Sequence, residues 1–550
     1  MLAIRINKQA MILLSLLFSM PSFSCKKSKS DEGGESTKPP LSATHSIIPL
    51  PQSVLFREDE FVLDNSVKIV ATGQHSAGIE LLNKDLNKLG ITLNNGSASD
   101  PRTITISENS NLNAVSYEIS INKNKIDISG KDAISVFHAI QTFRQYLWDA
   151  RQDKNAAEIT MKGVLIQDKS SYDWRVFHID VARNFYTKDY LKKLIDWMAL
   201  YKLNKLHLHL TDDQGWRIPI PNYPDLIEQG SWRVFNKYDL ENVERAKSNP
   251  IYAIDNRFVT TKDGEKIYKA SYTKAELQEL VAYAAKNYIE VIPEVDMPGH
   301  MFSAIKAYPW LSATGTAGWG EEFSYPICPC KPNVKQFALA ILDELIAIFP
   351  SEYIHIGNDE VDKTTWESSA ICQQYMADNN LSNVKEIQKT FITELQSYLA
   401  SKGRKAIVWD DATEVGVNAN AVITYWRDWV TPNTALANGN RFVMTPWTWF
   451  YLSSSSTDES ITTLYNFTPA QRFGTAFNNN IDGYQASVFT ENIPSEAALE
   501  YYVFPRLQAF SEFVWANNRR DLSSFTRRLN AHIQKMDTEG VRYRMPGFVK

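Results

Sequence analysis

The amino-acid sequence predicts an α/β protein, a (β/α)8 TIM barrel preceded by a small α+β domain. Two observations lead there. After Tyr172, eight short apolar, β-branched runs are separated mostly by amphipathic helical patterns, the grammar of a parallel sheet with crossover helices. Polar and acidic residues also gather just beyond the carboxyl ends of these runs, the end of such a barrel that carries its active site.

In chain order, Arg5 and Lys8 precede an apolar run from Ala10 to Met20 and then Ser22-Phe-Ser-Cys25, which reads as a secretion signal over residues 1–25. The run is about half the ~20 residues that span a bilayer. Cys25 resembles the acylated cysteine of bacterial lipoproteins. The expectation is an exported chain held to a membrane only through a lipid on Cys25, at the outer membrane or cell surface, with release into the periplasm as the other reading. Residues 26–44 are Ser, Lys, Gly, Asp, Glu and Pro with almost nothing to bury, hence a flexible linker. Cys328, Cys330 and Cys372 make an odd set, so no disulfide framework is expected.

Residues 45–167 carry short β-like runs (Val67 to Ala71, Thr103 to Ser107, Tyr117 to Ile121, Lys125 to Ile128) and two helical patterns, Ala77 to Leu89 and Asp132 to Trp148. They hold no catalytic cluster and read as a supporting α+β domain. Residues 168–550 form the barrel. Its strands are expected at Arg175 to Val181, Lys205 to Leu210, Ile289 to Val295, Tyr353 to Ile356, Ala406 to Trp409, Val422 to Tyr425, Arg441 to Thr445 and Gly483 to Phe489. Thr273-Lys-Ala-Glu276 is a capping box opening the helix before the third strand. Phe525, Leu529, Ile533 and Met536 mark an amphipathic closing helix.

Composition narrows the function. A net charge of -5 and 44% hydrophobic residues give a globular chain with no basic footprint for nucleic acid. Fourteen Trp and twenty-five Tyr supply flat faces that stack on sugar rings. Beyond the strand ends lie Asp180 and Arg183, His209 and Asp212, Glu294 and His300, Asp359-Glu360, Trp409, Trp426, Tyr451 and Glu491. Carboxylates, charged hydrogen-bonders and tryptophans point to glycoside hydrolysis. Adjacent acids cannot straddle a sugar, which favours a nucleophile supplied by the substrate's own 2-acetamido group.

The segments Asp180-Val-Ala-Arg183-Asn-Phe, His209-Leu-Thr-Asp212-Asp-Gln, Glu294-Val-Asp-Met-Pro-Gly-His300 and His355-Ile-Gly-Asn-Asp-Glu360 resemble the signatures of glycoside hydrolase family 20, the β-N-acetylhexosaminidases. The resemblance runs from about Ile47 to Trp515. It implies a cofactor-free enzyme without a catalytic metal, acting on a glycan or oligosaccharide. It makes Glu360 the general acid and base, Asp359 the residue aligning the acetamido nitrogen, and Tyr451 a donor to the acetamido oxygen. Arg183 and Glu491 would bind ring hydroxyls, Trp409 and Trp426 would enclose the acetamido methyl, and Asp212 and His300 would form a relay behind Glu360.

Three positions depart from the family pattern. Asn358 stands where a second glycine is usual, Phe489 where a tryptophan lines the sugar, and Ser453 where an aspartate commonly reads the far hydroxyls. Loss of a carboxylate at Ser453 removes a repulsive charge, so an O6-modified sugar such as 6-sulfated N-acetylglucosamine is an expected substrate. Two rival readings remain: a surface glycan-binding lipoprotein without turnover, and a metal-dependent amidohydrolase built on His207 and His209.

Overall fold

The computed structural model describes residues 41–549, except 42, 154, 316–322, 455, 475, 476 and 478. The secretion signal with Cys25, and most of the linker, lie outside the described residues.

Residues 45–168 form the small α+β domain. Its main sheet runs, in spatial order, Ser53–Leu63, Glu158–Asp168, Tyr117–Ile121, Lys125–Gly130, Thr103–Glu108, Lys68–Ala71 and Asn94–Asn95. The first two are long antiparallel partners that the sequence reading passed over. The charged stretch Arg57 to Glu60 hides the alternation of Ser53–Leu63, and a register shift falls between Phe56 and Glu60. Helix Ala133–Tyr146 starts where the Asp132 side chain accepts from the Ser135 N–H, which satisfies an orphan amide. It is buried on nearly all sides because it is the middle layer. Val136, Ile140 and Phe143 face the sheet, Phe137 joins the barrel's core, and Gln145 donates to the Leu200 carbonyl at 2.9 Å.

The barrel closes through eight strands: Trp174–Asp180, Lys205–His209, Glu290–Glu294, Tyr353–His355, Lys405–Trp409, Val422–Tyr425, Arg441–Met444 and Ile481–Val488. All pair in parallel, the eighth returning to the first. Register puts Asp180 beside His209, His209 beside Glu294 and Glu294 beside His355. Four polar residues therefore end their strands on one level, and each following loop starts at the same rim.

Helix Lys188–Leu200 opens at the Thr187 cap, and Lys274–Lys286 at the Thr273/Glu276 capping box. The alternation is not complete: only the 3-10 turn Asp410–Glu414 separates the fifth and sixth strands as helical structure. The closing helix Leu522–Thr538 buries Phe525, Leu529, Ile533 and Met536. It also ties the two domains, because Arg528 donates to Glu512 at 2.6 and 2.7 Å and to the Ile47 carbonyl at 2.8 Å. No helix of the described residues is long and apolar enough to cross a membrane.

Candidate active site

The loop after the first strand is held by Asp180, which accepts from the Ala182 and Arg183 amides at 2.8 and 3.1 Å and from the Thr490 amide at 2.9 Å. This clamps Arg183 against the end of the eighth strand. Its guanidinium meets Asp212 at 2.7 Å, Asp180 at 3.3 Å and Glu491 at 3.8 Å, and donates to Gln214 at 2.8 Å. Burial opposes the charge, but Asp212, Glu491 and Asp180 outweigh it and hold Arg183 firmly ionised.

Asp359 and Glu360 leave the fourth strand on an unusual backbone. Gly357, Asn358 and Glu360 have φ of 65°, 83° and 48°, and His300 opposite has 51°. Such angles cost non-glycine residues about 1–3 kcal/mol each, so neighbouring contacts must impose them. A Cβ on Gly357 would lie 1.7 Å from Asp296 Oδ1, which requires glycine there. Asn358 is pinned by its amide to Asp296 at 2.7 Å, its side chain to the Met297 carbonyl at 3.2 Å, and Gln388 at 2.5 Å. Asparagine tolerates the left-handed region better than other non-glycine residues, which accounts for its standing where the family pattern has glycine.

His300 bridges two acidic groups. Its Nδ1 lies 3.2 Å from both Asp212 and Asp213, and its Nε2 lies 3.6 Å from Asp359 Oδ2 and 3.5 Å from Glu360 Oε2. Burial disfavours the imidazolium, yet Asp212 and Asp359 raise its pKa well above the usual histidine range. Asp212 is conversely held down by Arg183 and His300 against the effect of burial. On the other side of Asp359, burial followed by repulsion from Asp296 pushes its carboxyl well up. Burial likewise lifts Asp296, to about 7. Asp359 Oδ1 and Asp296 Oδ2 have no other hydrogen-bond partner, and one proton shared between the carboxyls satisfies both.

His300, Asp359 and Glu360 line a cavity of about 280 Å³ together with Arg183, Phe323, Trp426, Trp447, Tyr451, Ser453, Phe489 and Glu491. Tyr451 stacks on Phe489 with centroids 5.4 Å apart, and Trp426 fixes its indole by donating to Asp411 at 2.7 Å. Burial and then Asp359 keep the Tyr451 hydroxyl protonated. The Ser453 hydroxyl accepts from the Phe489 amide at 2.6 Å. A larger cleft of about 750 Å³ between the small domain and the closing helix carries none of these groups.

Trp409 is placed differently from the other candidates. It is 1% exposed, and its indole donates to Glu294 at 2.7 Å beneath the cavity. As the last residue of its strand it points into the barrel, where Phe489 lies 6.1 Å away. His207, His209 and His355 also surround Glu294, at 3.0 Å for His207 and His355. The pair that reads as metal ligands is thus turned onto a carboxylate, and His209 continues to Asp212 at 3.0 Å.

A model of the glycosyl hydrolase family 20 catalytic domain matches residues 172–518, and a model of that family's domain 2 matches residues 44–169. The chain belongs to glycosyl hydrolase family 20. A beta-hexosaminidase of Porphyromonas gingivalis is 30% identical over 91% of the chain, which spans 64% of that relative's length. A beta-N-acetylhexosaminidase of Cellulomonas fimi is 27% identical over 90% of the chain and 92% of its own. Among solved structures, a GH20 exo beta-N-acetylglucosaminidase of Vibrio harveyi, in complex with N-acetylglucosamine, superposes with a TM-score of 0.78. That alignment has 26% identity and covers 94% of this chain and 81% of the other.

In this family 20 chain the sequence assigns no role to several residues of the site, among them Asp213, Gln214, Asp296, Asp411, Phe323 and Trp447. Asp296 lies inside one of the family-like motifs, two positions past Glu294, and that alternation is its signal in the sequence. Asp411 likewise followed a strand end. Phe323 lies in an irregular segment and Trp447 opens the one-turn helix Trp447–Phe450, and neither stretch is long enough to show a periodicity. Only folding puts Phe323 edge-on to His300 at 5.3 Å.

Proposed function

We propose that this family 20 chain is an exo-acting, retaining β-N-acetylhexosaminidase. It releases terminal β-linked N-acetylglucosamine or N-acetylgalactosamine from glycans by substrate-assisted catalysis. The adjacency of Asp359 and Glu360 under His300, in a cavity of about 280 Å³, carries this reading. Neighbouring residues cannot occupy opposite faces of one sugar ring, so the acetamido carbonyl oxygen of the substrate attacks C1. As that bond forms, the C1–O bond to the leaving group breaks, and Glu360 gives its proton to the departing oxygen. Water then adds to C1, returning a proton to Glu360 and expelling the acetamido oxygen. Two inversions restore the β configuration.

Asp359, in its ionised form, accepts from the acetamido N–H and stabilises the charge that develops on nitrogen. Tyr451 donates to the attacking oxygen. Arg183 and Glu491 hold ring hydroxyls, and Trp426, Tyr451 and Phe489 wall the sugar. Asp212 and His300 stand behind Glu360 and orient its carboxyl. Trp409 braces Phe489 and Glu294 below this wall. No step needs a cofactor.

Ser453, with its hydroxyl tied to the Phe489 amide, supports acceptance of 6-O-sulfated N-acetylglucosamine, since no carboxylate stands at that position to repel the sulfate. Export with a lipid on Cys25 rests on the amino-terminal sequence. A panel of aryl β-glycosides tests the chemistry and the specificity together. The N-acetylglucosaminide is expected to turn over with β product by NMR, the glucoside lacking the amide to be inert, and the 6-sulfated sugar to outpace the plain one. Equal cleavage of the glucoside, or an α product, removes the mechanism. Equal or better turnover of the plain sugar removes only the sulfate preference.

The Asp296–Asp359 pair makes a pH prediction. Catalysis needs Asp359 ionised, and Asp296 raises its pKa, so this group limits kcat/KM on the acid side. In Asp296→Asn that repulsion is gone, and the acid limb of the pH profile is expected to move to lower pH. A limb that stays in place would separate Asp296 from the titration.

A further inference from the structure

All three cysteines among the described residues meet at one point outside the cavity. Cys328 and Cys330 come from the long loop after the third barrel strand, and Cys372 from helix Ala370–Asp378. Their sulfurs lie within 4.8 Å of one another, with Cys328 Sγ and Cys372 Sγ 3.4 Å apart. Tetrahedral zinc with Zn–S bonds of about 2.3 Å sets its sulfurs about 3.8 Å apart. We propose that Cys328, Cys330 and Cys372 form a thiolate site for Zn²⁺, which staples the loop of His300 to the segment of the acid pair.

Packing alone does not account for the cluster. Buried cysteines serve as small apolar groups, but the whole chain has four cysteines and three of them converge here from two distant segments. A disulfide would use two and leave the third beside it as an attacking thiol, which makes an unstable staple. Three thiols at one point are a ligand set for a borderline-soft cation. The Cys330 and Cys372 thiols and the Cys330 amide all turn toward the Cys328 sulfur.

The surroundings give the site its consequence. The sulfurs share an apolar cluster with Val361, the residue after Glu360, and with Trp366. The Trp366 indole donates to the Ile327 carbonyl at 3.1 Å, and the Ile327 amide donates to the carbonyl of Pro298, two residues before His300, at 2.9 Å. A cation bound here holds the two loops in register without touching substrate.

The test uses the full chain, purified under reducing conditions, offered Zn²⁺ and desalted, with metal content read by mass spectrometry. About one zinc per chain is expected, with a lower Tm after chelation, because the binding free energy of a structural metal is folding free energy. Cobalt substitution should give thiolate-to-cobalt absorption. Cys328→Ser and Cys372→Ser should each lose the metal and that absorption. A zinc-free wild-type protein after loading overturns the proposal, as does peptide mapping that finds a Cys328–Cys372 disulfide. These readouts do not depend on glycosidase activity, so they stand apart from the proposed reaction.

Discussion

Glu360→Gln is expected to lower kcat/KM by about 10²–10⁴-fold, the range for removing a positioned general acid, while leaving the thermal melt nearly unchanged. The amide keeps the shape of the side chain, and Glu360 is among the more exposed groups of the site, with 35% of its side chain accessible. No buried partner is left stranded by the change. What disappears is the proton for the leaving oxygen, so the deficit should be larger for a disaccharide than for an aryl glycoside whose phenolate departs unaided. Comparing the two substrates in one preparation checks this. A variant as active as the parent on both would remove Glu360 from the acid role and with it the proposed mechanism.

Arg183→Ala is expected to cost both activity and about 3–5 kcal/mol of stability, as removing one member of a buried ion cluster does. The guanidinium is 5% exposed and faces Asp180, Asp212 and Glu491. Without it, three carboxylates confront one another in a low-dielectric site. In the parent, Asp212 is held below the ordinary carboxylate range. In the variant, unpaired carboxyls would bind protons more tightly when folded than when unfolded. The deficit should therefore be full near neutral pH and shrink as pH falls toward and through the ordinary carboxylate range. Thermal melts at several pH values measure it, and a deficit that grows on acidification would contradict the cluster's role. Arg183→Lys retains a charge but not the planar fork, so it should recover stability more than substrate binding.

Legibility differed between the barrel and the site for a physical reason. Each barrel strand is buried on both faces, so its apolar run is visible without knowing its neighbours. All eight expected strands occur within two residues of their observed ends. The strand Ser53–Leu63 was missed because the charged stretch Arg57 to Glu60 interrupts its alternation, and its partner Glu158–Asp168 because Lys162-Gly163 divides its apolar run. The acid pair and Arg183 were readable because they follow directly on strand ends. Trp409 was readable as a strand end too, but whether a terminal side chain faces the rim or the interior depends on the pleat, and here it turns inward to Glu294.

By itself, the sequence determined the order of the barrel strands, the rim on which the chemistry stands, and the family-like motifs carrying Asp359 and Glu360. These are local properties, encoded in periodicity and in residues adjacent along the chain. Only the tertiary structure decided that Asp296 packs against Gly357 and raises Asp359, that Asp213 joins Asp212 on His300, and that Cys328 meets Cys372. Those contacts join segments from different strands, and their strength comes from burial and a low dielectric, which exist only once the barrel has closed.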